Sequence, residues 1–189
     1  MTNSSDPGRP HSDTPSPSPW VTRFGRLVPD GGTVLDLACG AGRNGRWFLA
    51  RGMRVTFLDR DTEGLGDLPD DLSDIPAAEI VRADLETGGP FPLAGRRFDC
   101  VVVTNYLWRG ILGDILACVT PGGLLIYETF GVGNAAYGRP RNPDFLLAPG
   151  ELADEVRADF DILGYEHGSR TRPSPAVIQR IAAIKRTAS

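Results

Sequence analysis

The stretch that decides the fold runs from Val34 to Gly52 and reads VLDLACGAGRNGRWFLARG. Its apolar run, Val34 to Ala38, carries one acid, Asp36, and breaks at Cys39-Gly40-Ala41-Gly42. Gly40, Gly42 and Gly45 have the spacing GxGxxG, which brings a ligand against bare backbone between a strand and a helix. Arg43 to Arg51 follows as a helix, and Gly52 stops it. On spacing alone the turn suits the pyrophosphate of a dinucleotide, so the ligand must be decided elsewhere.

Outward from this turn, strands and helices alternate. Residues 33–38, 54–59, 78–84, 97–106 and 122–130 read as strands, with Val101 to Val103 apolar on both faces. Helical stretches are expected at 20–28, 43–51, 107–119 and 149–158, with a short glycine-broken helix after the second strand. Alternation with fully apolar strands predicts a parallel sheet flanked by helices, doubly wound by the right-handed crossover rule. Residues 160–168 and 176–186 are two further strands. The link between them, with Pro173 and Pro175, is too short for a crossover helix, so this C-terminal pair is an antiparallel hairpin. The fold class is therefore α/β, a seven-stranded, mostly parallel, Rossmann-like sheet.

Composition sets the bounds. The chain has 189 residues, which suits one domain, and its net charge of −4 argues against tight non-specific nucleic-acid binding. Lys185 is the only lysine, and the three cysteines form no CxxC, as expected of small buried hydrophobes in a reducing compartment. No metal site is expected. Residues 1–19, rich in Ser, Pro, Asp and Thr, have no apolar content to bury and are expected to be a disordered tail before a domain at 20–189. Neither a secretory signal nor a membrane-length apolar run is visible, so the expectation is a soluble cytoplasmic protein.

In doubly wound sheets ligands lie beyond the carboxyl ends of the strands. Those ends here carry Asp36 to Gly42, then Asp59, then Asp84, then Asn105-Tyr106. Asp59 can accept both hydroxyls of a ribose, and Asp84 can accept from an exocyclic amine. Each could instead cap a turn, but four strand ends in succession favour a site. Asp36 disfavours a pyrophosphate and suits a ligand with a sulfonium and an ammonium. The two histidines, His11 and His167, and the lone lysine leave no obvious hydride-transfer proton donor.

The assembly resembles the class I S-adenosylmethionine-dependent methyltransferases. "VLDLACGAGR" is similar to their glycine-rich motif, "VTFLDRD" to their ribose-binding acid, "RADLE" to their adenine-binding turn and "TPGGLLIYETF" to their fifth strand. More narrowly, "ACGAGR", "YETF" and the prolines around "FLL" resemble the branch related to tellurite-resistance methyltransferases, in which His often stands where this chain has Asn44 and Trp108. The resemblance implies S-adenosylmethionine as cofactor. It implies Asp36, Ala38, Gly40 and Gly42 at the methionine end, Asp59 and Arg60 at the ribose, and Asp84 and Leu85 at the adenine. Asn44 and Asn105 complete the cofactor-side candidates.

The methyl acceptor is expected to be a small molecule, with Tyr106, Arg139 and Asn142 closing over it. Arg139 would hold an anionic group in the planar manner of a guanidinium. Asn105, Trp108, Arg109, Glu128, Phe130, Tyr137 and Arg141 are further pocket candidates, and the long loop 131–147 has the length of a lid. A non-catalytic S-adenosylmethionine-binding regulator and an NAD-binding oxidoreductase are the alternatives. Oligomeric state is not legible.

Overall fold

Side chains alternate across a strand, so a strand apolar at every position must be covered on both faces. The computed structural model, which describes residues 15–66, 68 and 77–187, shows how this is done. The strands are β1 (Thr33–Leu37), β2 (Arg54–Asp59), β3 (Ala78–Arg82), β4 (Phe98–Thr104), β5 (Val119–Phe130), β6 (Phe160–Arg170) and β7 (Ala176–Lys185). They form one seven-stranded sheet in the order β3-β2-β1-β4-β5-β7-β6. The first five are parallel, and β7 pairs antiparallel with both β5 and β6.

Among the described residues four α-helices accompany the sheet: α1 (Pro19–Phe24), α2 (Arg43–Leu49), α3 (Leu112–Ala117) and α4 (Glu151–Val156). Leu35, Leu37, Val101, Val103, Leu125 and Tyr127 point to one face and pack with Leu112, Ile115, Leu152 and Val156 of α3 and α4. Val34, Phe57, Val102 and Ile126 point to the other and pack with Trp20, Val21 and Phe24 of α1 and Phe48 of α2.

Several elements differ from expectation. The helix expected at 107–119 is a 3-10 turn, Arg109–Ile111, leading into the short α3, because Gly110 and Gly113 weaken helix there. After β2 the described residues hold only a 3-10 turn, Glu63–Leu65. β3 ends at Arg82, two residues early, which leaves Asp84 in the following loop. β5 begins at Val119, which pairs with Phe98 across a bulge.

The tail is the larger correction. Residues 1–14 lie outside the described residues, but order does not begin at Trp20. Ser18 is buried and caps α1, with its hydroxyl accepting from the Trp20 N–H. The Ser18 N–H donates to Asn44 Oδ1 at 3.0 Å, and its hydroxyl donates to Glu128 Oε1 at 3.3 Å. Low apolar content missed this because the segment is held by polar contacts with residues far along the chain.

Candidate functional site

The chain passes from β1 outward through β2 to β3, then returns to β4 on the other side of β1. The crevice at this switch opens at the carboxyl ends of all four strands. A cleft of about 420 Å³ occupies it, lined by Ala38 to Ala41, Arg43, Asp59, Arg60, Ala83 to Glu86 and Thr104 to Tyr106, with Pro15 at its wall.

The three glycines divide their work. Gly40 has φ +55°, and a Cβ built on it would meet nothing within 4 Å, so its open side faces the cleft it lines. Gly42 also has positive φ, but its Cβ would strike Leu65 and Phe57. A Cβ on Gly45 would come within 2.2 Å of the Phe57 ring. Gly42 and Gly45 therefore seat α2 against β2, and Gly42 is not on the cleft wall. Ala38 (φ 52°) and Asn105 (φ 57°) are the non-glycine residues with left-handed backbone among those described, and both line the cleft. Such strain at two strand ends is what a ligand site tends to retain.

Asp59 is fixed by two backbone amides. Gly40 N–H donates to Oδ2 at 2.8 Å and Asp61 N–H to Oδ1 at 3.0 Å, which ties β2 to the glycine turn. A carboxylate oxygen accepts more than one hydrogen bond, so both retain capacity for hydroxyls. Asp84 Oδ1 accepts from the Glu86 N–H, which turns the loop and sets Leu85 and Glu86 on the cleft wall.

Asp36 and Asn44, both expected at the cofactor, are buried and do not line the cleft. Asp36 lies beneath the glycine turn, with Oδ2 accepting from the Gly45 N–H at 2.7 Å. Its Oδ1 is buried without a partner. Burial pushes its carboxyl up to about 7. Asn44 is a bracket: Oδ1 holds Ser18, and Nδ2 donates to Thr104 Oγ1 at 3.0 Å. Sequence reasoning missed Cys39, Ala41, Arg43, Ala83, Glu86 and Thr104. Their signal was adjacency to the motifs already noted. Burial, then the charges of Asp36 and Asp59, hold the Cys39 thiol protonated, so it is no nucleophile.

A second cavity of about 220 Å³ shares Glu86, Asn105 and Tyr106 with the first and adds Leu107, Thr129, Phe130, Pro140 and Phe145. Tyr106 stands between the two with its hydroxyl buried and without a partner. Burial, then Glu86 and Asp84, raise that phenol well above its ordinary range, so it remains a donor.

Of the acceptor-side candidates, Asn105, Tyr106 and Phe130 line this space. Arg139 and Asn142 are exposed and line neither cavity. The Asn142 side chain accepts from the Asp144 N–H and caps a 3-10 turn, Pro143–Phe145, while Tyr137 and Arg141 are also exposed. Arg109 pins the long loop instead of a substrate. It donates to both Glu151 oxygens and to the carbonyls of Asp144 and Leu146. Glu128 is buried and paired with Arg170 and Arg180, an arrangement for holding β5, β6 and β7 together.

Residues 34–123 match the family model described as a methyltransferase domain. No curated protein matches the chain in sequence. Solved structures with the same fold include TehB from Haemophilus influenzae, 18% identical with a TM-score of 0.69, covering 88% of this chain and 61% of that one. A TehB-like S-adenosylmethionine-dependent methyltransferase from Corynebacterium glutamicum is 18% identical with a TM-score of 0.58, covering 88% and 87%. The 1,6-didemethyltoxoflavin-N1-methyltransferase of Burkholderia thailandensis, solved with 1,6-didemethyltoxoflavin and S-adenosylhomocysteine, is 19% identical with a TM-score of 0.62, covering 93% and 80%. The chain thus spans less than two thirds of the Haemophilus protein.

Residues 34–123 thus carry the methyltransferase-domain match, on a sheet that shares the fold of these solved methyltransferases. S-adenosylhomocysteine is bound in the Burkholderia enzyme and in a structure of the glycopeptide N-methyltransferase MtfA, which shares this fold. The donor set here suits S-adenosylmethionine: an open glycine cradle, a carboxylate at the second strand end and another after the third, with Arg43 and Arg60 also on the wall. Among the described residues no helix is long and apolar enough to cross a membrane, and no side-chain cluster could hold a metal ion.

Proposed function

We propose that this chain methylates a small acceptor seated in the cavity beside Tyr106, with the cofactor in the larger cleft. The observation that carries the reading is the shared wall: Glu86, Asn105 and Tyr106 border both spaces, so two ligands can meet there. The cofactor when bound supplies an activated methyl group, and the protein's task is to orient and enclose the reacting atoms. Asp59 accepts from the ribose hydroxyls, Asp84 and Leu85 border the adenine, and Ala38 and Gly40 leave room for the methionine end. Arg60, on the cleft wall, lies beside the ribose. Asp36 acts from beneath, as a buried carboxyl whose ionised form a nearby ammonium favours. Tyr106, with its proton retained, is a hydrogen-bond donor at the junction. Phe145 and Pro140 exclude water on the acceptor side.

The expectation of an anionic acceptor rested on Arg139, which is exposed and lines neither cavity, so that idea loses its motive. The Burkholderia N1-methyltransferase, with its bound 1,6-didemethyltoxoflavin, and the glycopeptide N-methyltransferase MtfA, also of this fold, lend support to a nitrogen acceptor. The partner in this reading is a small cytoplasmic molecule and not a nucleic acid, in keeping with the net charge of −4. Calorimetry with S-adenosylhomocysteine tests the cofactor half. At a hundredfold excess over Kd the fold gains about 2.7 kcal/mol. A screen of small amines, thiols, carboxylates and oxyanions, read by S-adenosylhomocysteine release, tests the transfer. Folded protein that binds no S-adenosylhomocysteine refutes the proposal; binding with no turnover on any acceptor favours a regulator.

A further inference from the structure

Resting on that reading, we infer that the smaller cavity is built for a flat aromatic or heteroaromatic amine, with Glu86 as the residue that selects it. Four features carry this. The walls are apolar and partly aromatic, with Phe130, Phe145, Pro140 and Leu107 around the space. At about 220 Å³ it is smaller than the ~300 Å³ at which drug-sized sites begin, so it takes a small ring system. Glu86 is the one lining residue with a carboxylate, and no Arg, Lys or His lines the cavity. The Glu86 carboxylate makes no ion pair or side-chain hydrogen bond among the described residues, so it is free for a ligand.

These features sort acceptor chemistries. An oxyanion or carboxylate would meet Glu86 with no cation to offset the repulsion. A thiol would offer only a weak donor. An amine offers N–H groups to the carboxylate, and a ring to Phe130 and Phe145, while its nitrogen lone pair stays available at the Tyr106 junction. The transfer balances without a further reagent. The nitrogen lone pair forms the new N–C bond, the C–S bond breaks, and its electron pair stays on sulfur to give a neutral thioether. The methylated nitrogen sheds one proton to Glu86, and from there to water. Arg60 is the cation that acts on Tyr106, and it lines the cofactor cleft alone, so it does not reverse the sign on the acceptor side.

The test is binding of aniline against benzoate, followed by ligand-observed NMR, with and without saturating S-adenosylhomocysteine. Wild type should prefer aniline by about tenfold, the scale of one hydrogen bond to a charged group. Glu86→Gln keeps the shape, removes the charge and should collapse that preference, with an unchanged melting temperature because Glu86 is exposed. Phe145→Leu should weaken aniline binding, while the preference over benzoate survives. Equal or tighter binding of benzoate, binding of neither probe, or a preference that survives Glu86→Gln overturns the inference. The lining is protein alone, so the two proposals separate. Amine preference without S-adenosylhomocysteine binding sinks the methyl-transfer reading, and the reverse sinks the amine site.

Discussion

Ser18→Ala tests whether the segment before α1 is part of the folded domain. The side chain is 1% exposed and does two things. It caps α1 by accepting from the Trp20 N–H at 3.2 Å, and it donates to Glu128 Oε1 at 3.3 Å. Loss of a serine cap costs about 1 kcal/mol. Loss of a hydrogen bond to a buried carboxylate costs about 1.5–3 kcal/mol. The lower end applies here, because the bond is long and Arg180 remains on the other Glu128 oxygen at 3.2 Å. The expected total is about 2–3 kcal/mol. For a chain of this size each kcal/mol moves Tm by about 2–4 °C, so the variant should melt roughly 4–12 °C lower.

Circular dichroism melts at fixed pH give the number. Removing residues 1–18 should cost more, because it also strips the buried Asn44 Oδ1 of the Ser18 N–H. That truncation removes Pro15 from the cleft wall and the Ser16 carbonyl from Arg43, so affinity for S-adenosylhomocysteine should fall with stability. Melting of Ser18→Ala within 1 °C of wild type, on the same scale of about 2–4 °C per kcal/mol, would refute the reasoning and return the segment to a passive tail.

Three further outcomes are expected. Asp59→Ala should weaken S-adenosylhomocysteine binding at least about tenfold by calorimetry, since it removes the proposed ribose acceptor and the Gly40 tether together. Normal affinity would mean that β2 does not end at the ribose. Gly45→Ala drives a Cβ to 2.2 Å from the Phe57 ring, so overpacking should cost about 1–3 kcal/mol in urea unfolding; an unchanged midpoint would contradict the packing role. Burial raises Asp36 to about 7 from an ordinary 3.8, so the folded chain keeps a proton that the unfolded chain sheds. Its contribution is therefore present in full below about pH 4 and is lost as pH rises through about 7. Asp36→Asn should remove that slope. The variant should gain on the apo wild type by up to about 1.4 kcal/mol per pH unit across this window, and parallel stability curves would exclude the effect.

What the sequence disclosed and what it withheld follow from how each residue is held. The parallel strands were legible because burial on both faces leaves an apolar run that nothing else needs. Asp59 and Asp84 were legible because a strand end is a local event, and topology then brings those ends together. Gly40, Gly42 and Gly45 share one motif, yet only Gly40 has open space where a Cβ would stand. Spacing cannot tell a glycine that admits a ligand from one that admits the Phe57 ring. Arg109, Glu128 and Asn44 carry chemistry in their side chains, yet each is spent on structure. Their partners lie 42, 52 and 60 residues along the chain, at Glu151, Arg180 and Thr104. Ser18 was hidden in the same way, behind a composition that reads as tail.

The acceptor cavity is the extreme case. Its walls come from the loops after β3 and β4, from the end of β5 and from the long loop. The long loop's course is set at Arg109, and at Asn134, which bonds the Pro140 carbonyl and the Val177 N–H. No local spacing encodes a volume bounded by four segments. The cofactor cleft rests on the glycine turn and the strand ends, which belong to the sheet. Glu86, Pro140 and Phe145 sit on loops that the sheet supports without dictating. In the proposed reading acceptor affinity is thus separable from cofactor binding, and substitutions at Phe145 should weaken the first while leaving the second intact.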